Sequence, residues 1–381
     1  MNCFGEVGEK LEKWALQARG IRGVAIADIT IDAIKDISKY FQLPDEFTNF
    51  IDEFRIREGA LQSLVNYRDH FIHPFHVFCL GYVILKKWRN SGGQGLLDSI
   101  GQDENLALKT WFVTSIYHDV GYPSEKFEAL VMEFFNTSVG RGIRSQFDWS
   151  SVLLANENIK HIDKLSNIFA QKINNNNQAK NFKKWFHKRL LEDHDHGVLT
   201  ALMLLSQDKI PWGGNWDIAK EAALAIALHS WKRDADRTSE FDLGRLSVED
   251  LPLAFFLSYC DTAQEWGRKV LLELMRRGYT LTTISNMPTL DSILRGLKVE
   301  SNEIIVTIKY LSRADDIIVQ NRADDIIVQN KTLTQVFQDV GKKFRSTWCL
   351  NNIGATRFFI NGEDVDGFGI GGFGASPQCK K

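Results

Sequence analysis

The sequence predicts a mainly α fold followed by a small α+β segment, and three observations predict it. Apolar residues fall on single helical faces, as with Val77, Leu80 and Ile84, or Ala254 and Leu257. The run Leu106 to Tyr117 is apolar on nearly every side apart from Lys109 and Thr110, as a buried helix would be, and Gly121 and Pro123 then stop it. From about residue 280 the pattern changes: Glu303 to Tyr310 alternates and is rich in Ile and Val, which argues for a strand.

At 381 residues the chain can hold one large domain or two smaller ones with ample core. A formal charge of −2 gives no general field for nucleic acid or anionic membrane. The five cysteines (Cys3, Cys79, Cys260, Cys349, Cys379) are scattered without a Cys-x-x-Cys pair. They point to reduced thiols in a cytoplasmic protein rather than a disulfide framework or zinc ribbon. The N-terminus lacks the apolar core of a signal peptide, and no apolar run is long enough to span a bilayer, so no membrane partner is expected.

Residues 1–55 read as a helical extension with a break at Leu43-Pro44-Asp45, where Asp45 is a reasonable N-cap for a helix through Phe54. The next helix carries His73, Val77, Leu80 and Ile84 on one stripe, so His73 points inward. His70 and His76 are its neighbours, and three histidines within seven residues is a concentration when the chain has only nine. Gly92-Gly93-Gln94-Gly95 is a loop, and the buried helix after it closes on His118-Asp119. Two polar side chains at the inner end of a buried helix are costly unless something binds them. A divalent metal answers this, because imidazole nitrogen and carboxylate oxygen are both metal ligands.

After Pro123 a helix over Lys126 to Phe135 precedes a less hydrophobic stretch, 138–188, read as an insertion, with Asn174 to Asn177 as an exposed loop. Lys180 to Arg189 interleaves basic and aromatic residues. Such a stretch can guide a single strand, but near-neutral overall charge favours a solvated helix face with its aromatics packed inward. Asp193-His194-Asp195-His196-Gly197 opens a helix through Leu205. His194 aligns with Val198, Ala201 and Leu205, His196 with Leu199 and Met203, so periodicity does not choose between them. Asp217 is a plausible N-cap for a helix placing Ile218, Ala222, Ala225 and His229 inward. Ser247-Val248-Glu249-Asp250 resembles a capping box for a helix whose inward stripe ends on Ser258 and Asp261.

Beyond residue 280, Arg313 to Asn321 is repeated letter for letter at Arg322 to Asn330, as a recent in-frame duplication would be. Thr332 to Thr347 suits a helix and Arg357 to Ile360 a strand. In the glycine-rich tail, 366–381, no helix follows the glycines, so phosphate-cradling geometry is missing and a flexible tail is expected.

In chain order, the inward polar residues are His73, His118-Asp119, His194 or His196, His229 and Asp261. This order on successive helices resembles the HD superfamily of metal-dependent phosphohydrolases. His73 with Val77, the His118-Asp119 turn, His196-Gly197, Ala227-Leu228-His229 and Tyr259-Cys260-Asp261-Thr262 carry the resemblance, which covers about residues 60–270. Tyr122 follows Gly121 where many members have lysine. The resemblance implies an HD-domain helical bundle over 56–280, flanked by the 1–55 extension, an α+β segment over 281–365 and the 366–381 tail. It also implies that His73, His118, Asp119 and Asp261 hold one metal, and that His196 and His229, with Asp119 bridging, hold a second. In the single-metal branch those two histidines would contact phosphate instead.

Mn, Fe, Zn, Co, Ni or Mg would serve, since mixed His/carboxylate sets do not select among them. A bridging carboxylate such as Asp119 would be central to catalysis, and Arg68 and Arg268 are the candidates for neutralising charge on a phosphoryl group. The expectation is hydrolysis of a phosphoester or phosphoanhydride bond in a small nucleotide: a nucleoside mono- or triphosphate, or a cyclic nucleotide. A nuclease acting on a single strand and a nucleotide-sensing regulatory module are the rivals. Nucleic acid is the less favoured partner, and a homo-oligomer is compatible with the sequence.

Overall fold

The computed structural model describes residues 3–18, 24–61, 72–90, 103–125, 156–173, 176–206, 214–231, 241–247 and 249–263, and strand segments 297–300, 303–308, 348–349, 355–360 and 363–365. These are mainly helical. In chain order the helices are α1 (Cys3–Ala18), α2 (Val24–Tyr40), α3 (Asp45–Leu61), α4 (Ile72–Asn90), α5 (Glu104–Tyr117), α6 (Asn156–Lys172), α7 (Asn176–Leu191), α8 (His196–Leu205), α9 (Trp216–His229) and α10 (Pro252–Ala263). Among the described residues no helix is long and apolar enough to cross a membrane.

Local chemistry sets the ends. Asp103 is extended (φ −143, ψ 166) and its side chain accepts from Leu106 N, which starts α5; such a cap contributes about 1 kcal/mol. From Thr110 to Tyr117 every residue of α5 is buried, as a helix apolar all round requires. α9 is capped by Asn215, whose Oδ1 accepts from Ile218 N, and not by Asp217, which falls in the first turn. The chain enters there through Gly214 at φ +92, which puts the non-helical residue two positions earlier than expected. α3 likewise begins at Asp45 itself.

Ser247 does not cap a helix either. It ends strand β1 (Leu246–Ser247), its hydroxyl accepts from Glu249 N, and its carbonyl accepts from Leu251 N. α10 then begins at Pro252, where a proline's missing N–H costs nothing.

α9 is central, packing against α5, α6, α8 and α10, while α4 packs against α5 and α10. At the α4–α5 contact a Cβ on Gly81 would lie 2.2 Å from the Trp111 ring, so only glycine allows this approach. Trp111 Nε1 donates to Phe78 O at 3.1 Å across the same contact. α1, α2 and α3 complete the same core: the Trp14 ring sits 5.0 Å from Phe75, Phe50 stacks on Tyr117 at 4.8 Å, and Tyr82 Oη donates to Phe4 O.

The less hydrophobic stretch read as an insertion contains two helices, α6 and α7, among its described residues. α6 and α7 pack on each other and on α8, and Asn176 and Asn177 open α7 instead of lying in a loop. Asparagine is well tolerated where helix N–H groups lack backbone partners. Phe182, Trp185 and Phe186 are fully buried, and Phe182 stacks on Phe169 at 4.3 Å, while Lys183 pairs with Asp163 and Lys188 with Asp193.

A four-stranded sheet forms late in the chain, in the order β2 (Leu297–Glu300), β3 (Glu303–Ile308), β5 (Ala355–Ile360), β6 (Glu363–Val365). The outer pairs are antiparallel and the central β3–β5 pair is parallel, with Ile304 opposite Thr356 and Ile308 opposite Ile360. β4 (Trp348–Cys349) pairs in parallel with β1. The 313–330 duplication, the helices expected over 126–135 and 332–347, the 92–95 loop and the glycine-rich tail lie outside the described residues.

Candidate metal centre

Five helices bring their ends to one place. His73 is the second residue of α4, above buried Val77, Leu80 and Ile84. His118 caps α5 with helical φ/ψ and Asp119 follows, in a turn closed by Val120 N to Tyr117 O and Tyr122 N to Asp119 O. Gly121 is where this turn presses on α8: its N–H donates to Thr200 Oγ1 at 2.7 Å, and a Cβ would lie 2.5 Å from His196 O. Asp195 caps α8, so His196 is its first residue. Gly197 lets α8 approach the end of α9, since a Cβ there would meet Ile226 O at 2.8 Å and His229 Cε1 at 2.9 Å. His229 ends α9, and Asp261 lies on α10.

The six residues converge. Asp119 carboxylate oxygens lie 3.8 Å from His73 Nε2, 3.5 Å from His118 Nε2 and 3.4 Å from His196 Nε2. Asp261 Oδ1 is 2.7 Å from His73 Nε2 and 3.6 Å from His118 Nε2, and His196 and His229 face each other at 3.2 Å between their Nε2 atoms. Three overlapping groups (His73, His118, Asp119; His118, His229, Asp261; Asp119, His196, His229) each keep their ligand atoms within 4.8 Å. His118 is fully buried, while the Asp261 and His196 side chains are 22% and 18% exposed and form the open edge.

The outer hydrogen bonds decide which nitrogen faces inward. His118 Nδ1 sits 2.6 Å from Ser115 O and His229 Nδ1 2.5 Å from Ile226 O, each a carbonyl one turn back on its own helix. A carbonyl only accepts, so each Nδ1 carries a proton, and in the neutral ring each Nε2 keeps its lone pair. His196 Nδ1 donates to Glu125 Oε2 at 2.7 Å, and the His196 backbone N–H reaches the same oxygen at 3.2 Å. With His196 neutral, as metal binding requires, its Nε2 lone pair would oppose that of His229, and His118 Nε2 is buried without a hydrogen-bond partner. A cation resolves both problems, so this donor set fits a divalent metal.

The titration behaviour points the same way. Burial raises the cost of ionising Asp261, but His118 and His73 hold its carboxyl well below the usual range. Burial opposes charge on His196, yet the Glu125 hydrogen bond and the Asp119 charge prevail and raise it to about 9. Burial, together with positive His196 and His118, lowers His229 to about 4. A proton on His196 Nε2 thus points at the His229 lone pair, in the place a cation would take. Since His196 must be neutral to bind metal, metal binding at pH 7 should release about one proton from it. Apparent affinity should rise about tenfold per pH unit until pH passes about 9. Calorimetry in buffers of different ionisation enthalpy measures the release; zero protons would contradict this proton assignment.

Of the expected site residues, His73, His118, Asp119, His196, His229 and Asp261 are brought together, whereas Arg68 and Arg268 lie outside the described residues. His194 precedes the α8 cap at φ +50 and is not among these groups. Glu125, absent from the sequence expectations, lies one helical turn beyond Gly121, whose carbonyl accepts from Glu125 N at 3.1 Å. Compared with known proteins, the chain matches no family model, no curated protein and no solved structure.

Proposed function

We propose that this chain is a metal-dependent phosphohydrolase acting on a small nucleotide. The observation that carries the reading is the meeting of four imidazole Nε2 atoms with the carboxylates of Asp119 and Asp261, three of those rings having their Nδ1 protons engaged by other protein oxygens. His73, His118, Asp119 and Asp261 would hold one cation, and His196 and His229 a second, with Asp119 shared. Bound divalent ions supply Lewis acidity toward a phosphoryl oxygen and make a water a nucleophile at neutral pH. The protein's own part is to fix the ligands, keep Asp261 ionised and leave an edge open at His196 and Asp261, which Tyr122 borders with its ring 5.4 Å from His196.

The resemblance to HD phosphohydrolases and the absence of a large net charge support a nucleotide over a polymer. The buried rings of Phe182, Trp185 and Phe186 present no stacking platform, which removes the sequence feature that favoured a nuclease.

Screening nucleoside mono- and triphosphates and cyclic nucleotides with Mn, Co, Zn or Mg tests the reading. The expected result is turnover of at least one nucleotide, lost with chelator and restored by metal. Tight nucleotide binding without turnover would favour the regulatory reading, and salt-sensitive cleavage of an oligonucleotide the nuclease.

A further inference from the structure

We infer that Asp195 and Ser230 form a clasp that sets the spacing of His196 and His229, and that both are positioning residues for the metal position these histidines share with Asp119. The inference rests on the metal-centre reading above. Asp195 immediately precedes His196, and Ser230 immediately follows His229. As the α8 cap, Asp195 Oδ1 accepts from Gly197 N at 2.9 Å and Val198 N at 3.3 Å. Capping uses one oxygen; Asp195 turns both toward Ser230, whose Oγ donates at 2.8 Å to Oδ1 and 2.9 Å to Oδ2. The carboxylate is nearly buried, where a charge-assisted O–H···O bond is strong and little competed by water.

The clasp joins the start of α8 to the end of α9 one peptide unit from each ligand. Between those ends Gly197 provides no side chain as a spacer, so Asp195 and Ser230 hold the gap from one flank and Glu125 orients His196 from the other. His73, His118 and Asp261 sit on α4, α5 and α10 and make no hydrogen bond to either clasp residue. Loosening the clasp should therefore weaken one metal position selectively.

The test is titration of the chelator-stripped full chain with Co2+, followed by calorimetry and by the visible absorption of the bound ion. Wild type should take two equivalents. Ser230→Ala should keep the first unchanged and lose about 10–100-fold in affinity for the second, the usual cost of removing an outer hydrogen bond. Ser230→Thr, which keeps the hydroxyl, should restore it. Asp195→Ser keeps an N-cap oxygen but drops the carboxylate, and should show the same selective loss with an unchanged helical circular dichroism spectrum. Wild-type affinity for both equivalents in Ser230→Ala and Asp195→Ser, or equal weakening of both, would overturn the clasp and leave the metal centre standing. A wild type that takes one equivalent would also overturn it, and a wild type that takes none would end both readings.

Discussion

Asp119→Ala should remove both cations and nearly all hydrolysis. Asp119 belongs to two of the three candidate ligand groups, and its oxygens lie within 3.8 Å of the Nε2 atoms of His73, His118 and His196. No other described carboxylate reaches both His73 and His196, so no neighbour replaces it. Loss of one electrostatic stabiliser typically costs roughly 10²–10³-fold in rate. Loss of the cations themselves should cost at least about 10³-fold, or about 4 kcal/mol of transition-state stabilisation. The fold should survive, because the Asp119 carboxylate is not part of the apolar core. Steady-state rates and metal content per chain check this; a variant that retains metal and wild-type turnover would contradict it.

Trp111→Ala should strongly destabilise the fold. The indole is fully buried, packs on Gly81 of α4, and lies 4.5 Å from the Phe256 ring of α10. It therefore ties together the three helices that carry His73, His118 and Asp261. Truncating a buried aromatic costs about 3–5 kcal/mol. The Phe78 carbonyl, left without its indole donor, adds about 1 kcal/mol. Against a typical total stability of about 5–15 kcal/mol this is a large fraction. Urea unfolding should show a much lower midpoint, with weaker metal binding by the His73 group. Leu16→Ala, at an exposed position, serves as the neutral control. An unchanged midpoint for Trp111→Ala would contradict the packing account.

The helical faces were legible because burial is periodic. Val77, Leu80 and Ile84 share a face with His73 and are all buried, and the all-round apolar α5 is buried on all sides. Periodicity failed at His194 and His196 because it applies only inside a helix. Asp195 is the cap, so His194 lies outside the register that seemed to align it with Val198 and Leu205. Glu125 was illegible for a different reason: its partner is 71 residues away, and nothing local announces the bond. The β5–β6 pairing has a readable signal in the sequence. Ile360 and Glu363 pair across a two-residue gap of Asn361-Gly362, a dipeptide that favours tight hairpins.

Anomalous diffraction from crystals of the full chain grown with Co2+ tests the central claim most directly. The account expects two peaks bounded by the Nε2 atoms of His73, His118, His196 and His229 and the carboxylates of Asp119 and Asp261. Cobalt bound elsewhere, with these six side chains bonded only to one another and to water, would contradict it.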